Sequence, residues 1–235
     1  MSNTSWSNLM PGVAVALGIA FAGAAVADGL AKARAARRVV TVKGLAEREV
    51  DANLALWPIV FQARGDVLAE VHAEIEADTE RVLRFLHERG FADEEIARSE
   101  PRVTDHGLGR TGEVRDRFSI EATLAVRSPA VARVTGARQA AGKLVGQGIE
   151  LVQSYEWNTQ YLFTGLDELK PEMIAAATRD ARRAAQQFAE DSGSAVGSIR
   201  NAQQGYFSIA NRDAFSPQKK RVRVVTTIQY FLTDD

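Results

Sequence analysis

The chain of 235 residues contains no cysteine. Disulfides, thiolate nucleophiles and cysteine-ligated zinc are excluded together, and the composition is compatible with an oxidising compartment. Neither sign of charge is in excess. Twenty-nine Lys and Arg stand against 30 Asp and Glu, a formal net charge of −1, so there is no electrostatic footprint for nucleic acid. The first eight residues carry no Lys or Arg, which is unusual ahead of an apolar segment, and no catalytic signature follows anywhere in the chain.

What is present begins with one uncharged run, Leu9 to Ala27, of 19 residues. As a helix it would cover roughly 28 Å, close to the hydrocarbon thickness of a bilayer. Much of it is Ala and Gly, which drive insertion less than Leu or Phe. Ala25-Val26-Ala27 ahead of Asp28 also has the small-x-small form of a cleavage site. A signal-anchor helix is the reading taken; a cleaved export signal and a buried soluble helix are the alternatives. Lys32, Arg34, Arg37 and Arg38 follow the run, and the positive-inside rule alone would place the body in the cytoplasm. That stretch reads equally as a solvated linker or as a contact for anionic headgroups. The expected organisation is a polar N-terminus (1–8), the signal helix (9–27), a basic linker (28–38) and one α+β domain (39–233).

Behind the linker the pattern turns β-rich. Val39 to Val50 alternates as a first strand, and Leu54 to Gln62 is a second in which Pro58 argues for an edge or a bulge. Asp66 is placed to cap a helix reaching Arg89, with Leu68, Val71, Ile75, Val82 and Leu86 on one face and Gly90 to end it. Ile96 to His106 and Glu113 to Arg127 read as paired strands. Ser128-Pro129 opens a short helix to about Gly142, and Ile149 to Phe163 reads as another strand. A second long helix, Leu169 to Asp191, stops at Gly193. Strands at Ala195 to Phe207 and Arg221 to Leu232 close the chain around a polar loop, Ser208 to Lys220, expected to be locally disordered. Two long helices between β segments predict an α+β fold, a mostly antiparallel sheet with helices on one face, in two related halves.

These residues resemble the SIMPL-domain family. The likeness rests on Val-Thr-Val-Lys-Gly-Leu-Ala-Glu-Arg-Glu-Val at 40–50, the helix from Ile75 to Gly90 with Phe91 after it, and Val145-Gly146-Gln147-Gly148-Ile149. It continues in the Ala-rich helix Ala175 to Phe188 leading to Asp191-Ser192-Gly193-Ser194, and in Lys220 to Val225 near the end. The resemblance covers roughly 39–233 and depends on order and pattern, since the family has no catalytic signature. It implies a bacterial envelope protein, exported or tethered by its N-terminal segment, of poorly defined function. Some relatives are linked to oxidative-stress tolerance and some form large hollow oligomers. Leu56-Trp57-Pro58 is bulkier than the family pattern at the second strand.

Candidate chemistry is sparse. Gly107 to Gly112 spells G-x-G-x-x-G, but a strand rather than a helix follows, so a hairpin loop is expected. His72 and Glu76 share a helix face without further ligands, and neither a metal nor a cofactor is expected. Glu74, Glu76, Asp78 and Glu80 with Arg81 and Arg84 read as a charged outer surface. Ser194 lies between glycines in the wrong order for a nucleophile elbow. Tyr155, Trp157, Tyr161 and Phe163 would share one face of a strand, giving a core face or a candidate ligand or assembly face. Tyr206, Phe207 and Phe215 flank the polar loop as further anchors for a partner.

The expectation is a non-enzymatic, membrane-tethered envelope protein of the bacterial inner membrane, with its body in the periplasm. It would act by self-association as a homo-oligomer or by binding an envelope partner, with a role in stress tolerance. The alternatives are a periplasmic small-molecule-binding module using the Tyr155 to Phe163 face, and an unrecognised hydrolase using Asp105, His106 or Ser194.

Overall fold

The structure is a computed structural model that describes residues 9–35, 38–109, 112, 114–153 and 157–234, with side chains in the first helix described from 16 to 30. Helix α1 (Leu9–Ala35) is followed by β1 (Val39–Asp51), β2 (Leu54–Gly65) and α2 (Leu68–Glu88). Next come β3 (Ile96–Arg98), β4 (Arg102–Asp105), β5 (Phe118–Ser128) and the short helices α3 (Val131–Gln139) and α4 (Gly142–Val145). β6 (Glu150–Leu151), β7 (Gln160–Leu162), α5 (Leu166–Asp191), β8 (Ser194–Gln204), β9 (Ser208–Asn211) and β10 (Lys219–Asp234) complete the order. The class is α+β with antiparallel sheets. The chain divides into two compact units: Met1–Glu47, Lys170–Ser208 and Arg223–Asp235 form one, Arg48–Leu169 and Ile209–Val222 the other.

The described side chains of α1 are exposed throughout, Leu17, Ile19, Phe21, Val26 and Leu30 among them. Among the described residues no helix is long and apolar enough to cross a membrane.

In the first unit β10 lies between β1 and β8. Helix α5 turns Met173, Ala177, Ala181, Ala185 and Ala189 inward at four-residue steps, a stripe of mostly small side chains. Val42, Ile228 and Tyr230 pack with Ala181 and Ala185. Small residues on the helix allow a close approach, and Gly44 completes it from β1. A Cβ at Gly44 would meet the Ala177 carbonyl oxygen at 1.9 Å and the Ala181 nitrogen at 2.4 Å. Next to it the Leu45 N–H donates to Asp180 Oδ2 at 2.9 Å, and Arg183 donates to the other carboxylate oxygen. These donors hold the Asp180 carboxyl below its ordinary value.

In the second unit β5 and β2 are neighbours at the centre of the order β3-β5-β2-β6, with β4 also on β5 and β7 also on β2. Val71, Ile75, Val82 and Leu86 of α2 enter the core with Phe61, Ile120 and Leu124. Three sequence expectations change here. Asp66 does not cap α2: the position before the helix is Val67, with no side-chain cap, and Asp66 Oδ1 accepts from the Arg117 N–H at 3.3 Å. Asp78 is buried with Ile75, Thr79 and Val82, because it falls three residues after one core position and four before another, while Glu74, Glu76 and Glu80 stay exposed. The strand facing β5 is split into β3 and β4 around Pro101, which has no ladder N–H to donate. The positive φ of 79° at Gly90 and of 62° at Gly193 ends each long helix where the sequence places the stop.

Segment 208–220 is ordered as the β9–β10 hairpin rather than a disordered loop. Asp213 Oδ1 accepts from the Phe215 and Ser216 N–H groups, and Arg212 donates to Asp213 and Ser216. A short polar turn with satisfied backbone donors needs no apolar core of its own.

Candidate functional site

One cleft of the second unit lies beside a proline. The ladder from β2 to β5 is unbroken from Ala55↔Ser128 to Gly65↔Phe118, so Pro58 has β5 on one side without a bulge. On the other side β6 pairs with Phe61 and Gln62, and β7 with Leu54, Ala55 and Leu56, and no described residue pairs with Trp57 to Ile59. Val152 N–H donates to the Val60 carbonyl at 2.8 Å, so the Val60 peptide groups point to this side. Pro58, two residues back along the pleat, points the same way and has no N–H to offer. Between β6 and β7 the described residues 152–153 and 157–159 are not strand. A cleft of about 680 Å³ lies on this side, lined by Trp57, Pro58, Arg138, Val145, Val152 and Trp157 among others.

The break separates the aromatic residues that one continuous strand would have aligned. Tyr155 lies outside the described residues. Trp157 is 44% exposed and lines the cleft. Tyr161 is buried in the core, its hydroxyl 3.2 Å from Thr135 Oγ1. Phe163 is half-buried and lines a different groove with Ile209, Asn211 and Lys220. Trp157, Tyr161 and Phe163 do not form one face, because the described part of 149–163 is strand only at Glu150–Leu151 and Gln160–Leu162.

The hydrolase candidates are each committed elsewhere. Asp105 accepts from Arg117 Nε and Nη2 at 3.1 and 3.0 Å and from the Gly107 N–H, and these donors hold its carboxyl below the ordinary value. His106, in the turn after β4, has its Nε2 2.9 Å from Ser119 Oγ of β5 at the exposed surface. With its neighbour Asp105 turned to Arg117, that carboxylate does not orient the imidazole. Ser194 is buried and accepts from Arg38 Nη2 at 3.0 Å. Gly107 to Gly109 lie in a turn, Arg110 and Thr111 lie outside the described residues, and the next element is β5. His72 and Glu76 are exposed on α2, and among the described residues no group of three or more His, Asp or Glu could hold a metal ion.

Elsewhere the charged groups serve structure. Glu95 is held below its ordinary value by the Ser128 hydroxyl, with the Ala92 N–H and Arg133 adding to the effect. Arg133 also donates to the Gly90 carbonyl at 2.6 Å and lies over the Phe91 ring, fastening α3 to the end of α2. The residue that sequence reasoning passed over is Lys220. It is only 8% exposed, and the signal was available: it opens an alternation, continued by Val222 and Val224, whose members are all buried.

An α+β body of antiparallel sheets packed by helices defines the class. Within it, residues 40–230 match the SIMPL family model, described as a protein of unknown function (DUF541), and the chain belongs to that family. No curated protein matches it. A solved structure described as the crystal structure of a hydrolase from Listeria innocua is 15% identical, over 80% of this chain and 91% of that one, with a TM-score of 0.24. A likeness at that level carries no argument about activity.

Proposed function

We propose that this chain is a membrane-tethered component of the bacterial cell envelope, with its body in the periplasm, that works through association of its surfaces and not through catalysis. The observation that carries this reading is α1. Its described large apolar side chains, from Leu30 at 57% to Phe21 at 79% exposed, are covered by no other part of the chain that is described, and apolar residues occur on every side of the helix. Such a helix is stable where its surroundings are apolar too, as lipid is. The uncharged sequence continues upstream of the described side chains to Leu9.

Self-association is supported by β8. It pairs with β10 along one side, and its residues from Ser198 to Gln204 are exposed. An edge strand of that length offers free peptide groups to a second copy. Tyr206 and Phe215, fully or almost fully exposed, are further anchors for a partner. Each unit sets one long helix, α5 or α2, against antiparallel strands, and the two are read as related halves. The resemblance noted above places stress tolerance among the roles to examine.

The test is protease protection of intact cells together with membrane extraction. The full chain should resist extraction by alkaline carbonate and become digestible once the outer membrane is opened, and deletion of 1–30 should release it. A body shielded after the outer membrane is opened would reject the periplasmic reading. A second reading, a small-molecule-binding module, is favoured by the cleft beside Trp57 and Trp157, and a saturable change in tryptophan fluorescence with a defined ligand would support it.

A further inference from the structure

Lys220 occupies an inward position of β10 and is 8% exposed. The Arg212 N–H donates to the Lys219 carbonyl at 2.9 Å, which sets Asn211 opposite Lys220 across the hairpin. Lys220 Nζ donates to Asn211 Oδ1 at 2.5 Å, and among the described residues that amide is its hydrogen-bonding partner. The carboxylates of the surrounding strands are engaged by other cations: Asp51 with Lys219 at 2.6 Å, and Glu49 and Asp213 with Arg212. No described carboxylate lies within ion-pair distance of Lys220.

An ammonium taken out of water without a counter-charge is costly, and here burial alone pushes the lysine below its ordinary value. The group has three donors and no acceptor. One is spent on the Asn211 oxygen. That bond also fixes the amide, since a lysine can only donate, and so leaves the two donors of Asn211 Nδ2 beside the ammonium. Both side chains line a groove of about 320 Å³ whose other walls are Tyr161, Leu162, Phe163, Ile209 and Ala210. Its volume is that of a small ligand site. Its lining is about equally polar and apolar: the Tyr161 hydroxyl is turned to Thr135, the Asn211 oxygen is taken by Lys220, and Lys220 Nζ and Asn211 Nδ2 keep donors for a ligand, with Phe163 and Ile209 as apolar wall.

We propose that this groove binds a small organic carboxylate, with the two oxygens held by Lys220 Nζ and Asn211 Nδ2 and the apolar body lying against Phe163 and Ile209. The carboxylate supplies the counter-charge that the described chain does not. An aromatic or short aliphatic body fits the walls, whereas inorganic anions would leave them uncovered. This site is separate from the cleft at Pro58 and stands or falls independently of membrane tethering.

The probe is phenylacetate, titrated calorimetrically into the full chain in mild detergent, with phenylacetamide as the uncharged control of the same shape. Saturable binding is expected, at least tenfold tighter than that of the amide. Lys220→Met keeps the length of the side chain and removes its charge, so it should fold, with an unchanged circular dichroism spectrum, and lose phenylacetate affinity at least tenfold. Asn211→Ala, at an exposed position, should weaken binding by a smaller factor and serves as the independent variant if Lys220→Met fails to fold. Absence of saturable binding to the parent chain, equal affinity for the amide, or unchanged affinity in either folded variant overturns the proposal. A change of oligomeric size in Lys220→Met, with no phenylacetate binding to the parent, would place a carboxylate of a second copy in the groove and also overturns it.

Discussion

At the scale of single residues, Gly44 and Asp78 show how little space and solvent the packed helices leave. Any side chain at Gly44 meets backbone atoms of α5, not the flexible end of a neighbour, so the strand itself has to move off the helix. Gly44→Ala is expected to cost about 3 kcal/mol, the upper part of the usual range for overpacking, and to lower the urea midpoint accordingly. A change below about 0.5 kcal/mol would show that β1 and α5 are not held this closely in solution. Asp78 is the opposite case, a charged group brought into a core. Burial raises its carboxyl above the ordinary value despite the opposing pull of Arg81, so the folded chain binds that proton more tightly than the unfolded chain. Stability from this group is thus present at low pH and is lost as pH rises from the unfolded value, about 3.9, through the higher folded one. Asp78→Asn should raise the urea midpoint at pH 7, and the gain should shrink as the pH falls through the raised folded value and be lost below about 4. An equal gain at both pH values would exclude ionisation as its cause.

At the scale of elements, periodicity carried most of the reading and register carried what periodicity could not. The long helices were legible because Val71, Ile75, Val82 and Leu86, and Met173, Ala177 and Ala181, recur at helical spacing with a glycine after each run. The missing N–H of Pro58 was legible too, but its consequence was not. A sequence shows that a proline cannot bond on one side of a strand; only the partners show that this side faces the gap between β6 and β7. The same logic applies to β8. The Gly205 N–H donates to the Val225 carbonyl, so three residues earlier the Ala202 N–H points away from β10, toward the open edge. Ala202→Pro removes that outward donor and leaves the internal ladder intact. If copies of the chain associate through this edge, the variant should run as a smaller species in mild detergent, with its own stability within about 1 kcal/mol of the parent. An unchanged oligomeric size would exclude edge addition through β8.

At the scale of the whole molecule, the absence of cysteine removes disulfide and thiolate chemistry without selecting another. The leading helix does select, if its surroundings are lipid: the chain without residues 1–30 should then be soluble, whereas the full chain should require detergent. Should both forms stay in solution at equal concentration, the tether would be refuted while the body and its family membership would stand.

The sequence by itself determined the α+β class, the two long helices with their glycine stops, and the family, because these follow from local spacing and side-chain type. The tertiary structure alone decided that the residues at 157, 161 and 163 part company, that Asp78 is buried, and that Asn211 and Lys220 share a groove with Phe163. Those outcomes depend on which strand lies opposite which, and pairing between residues far apart in the chain leaves no period in either segment for a reader to find.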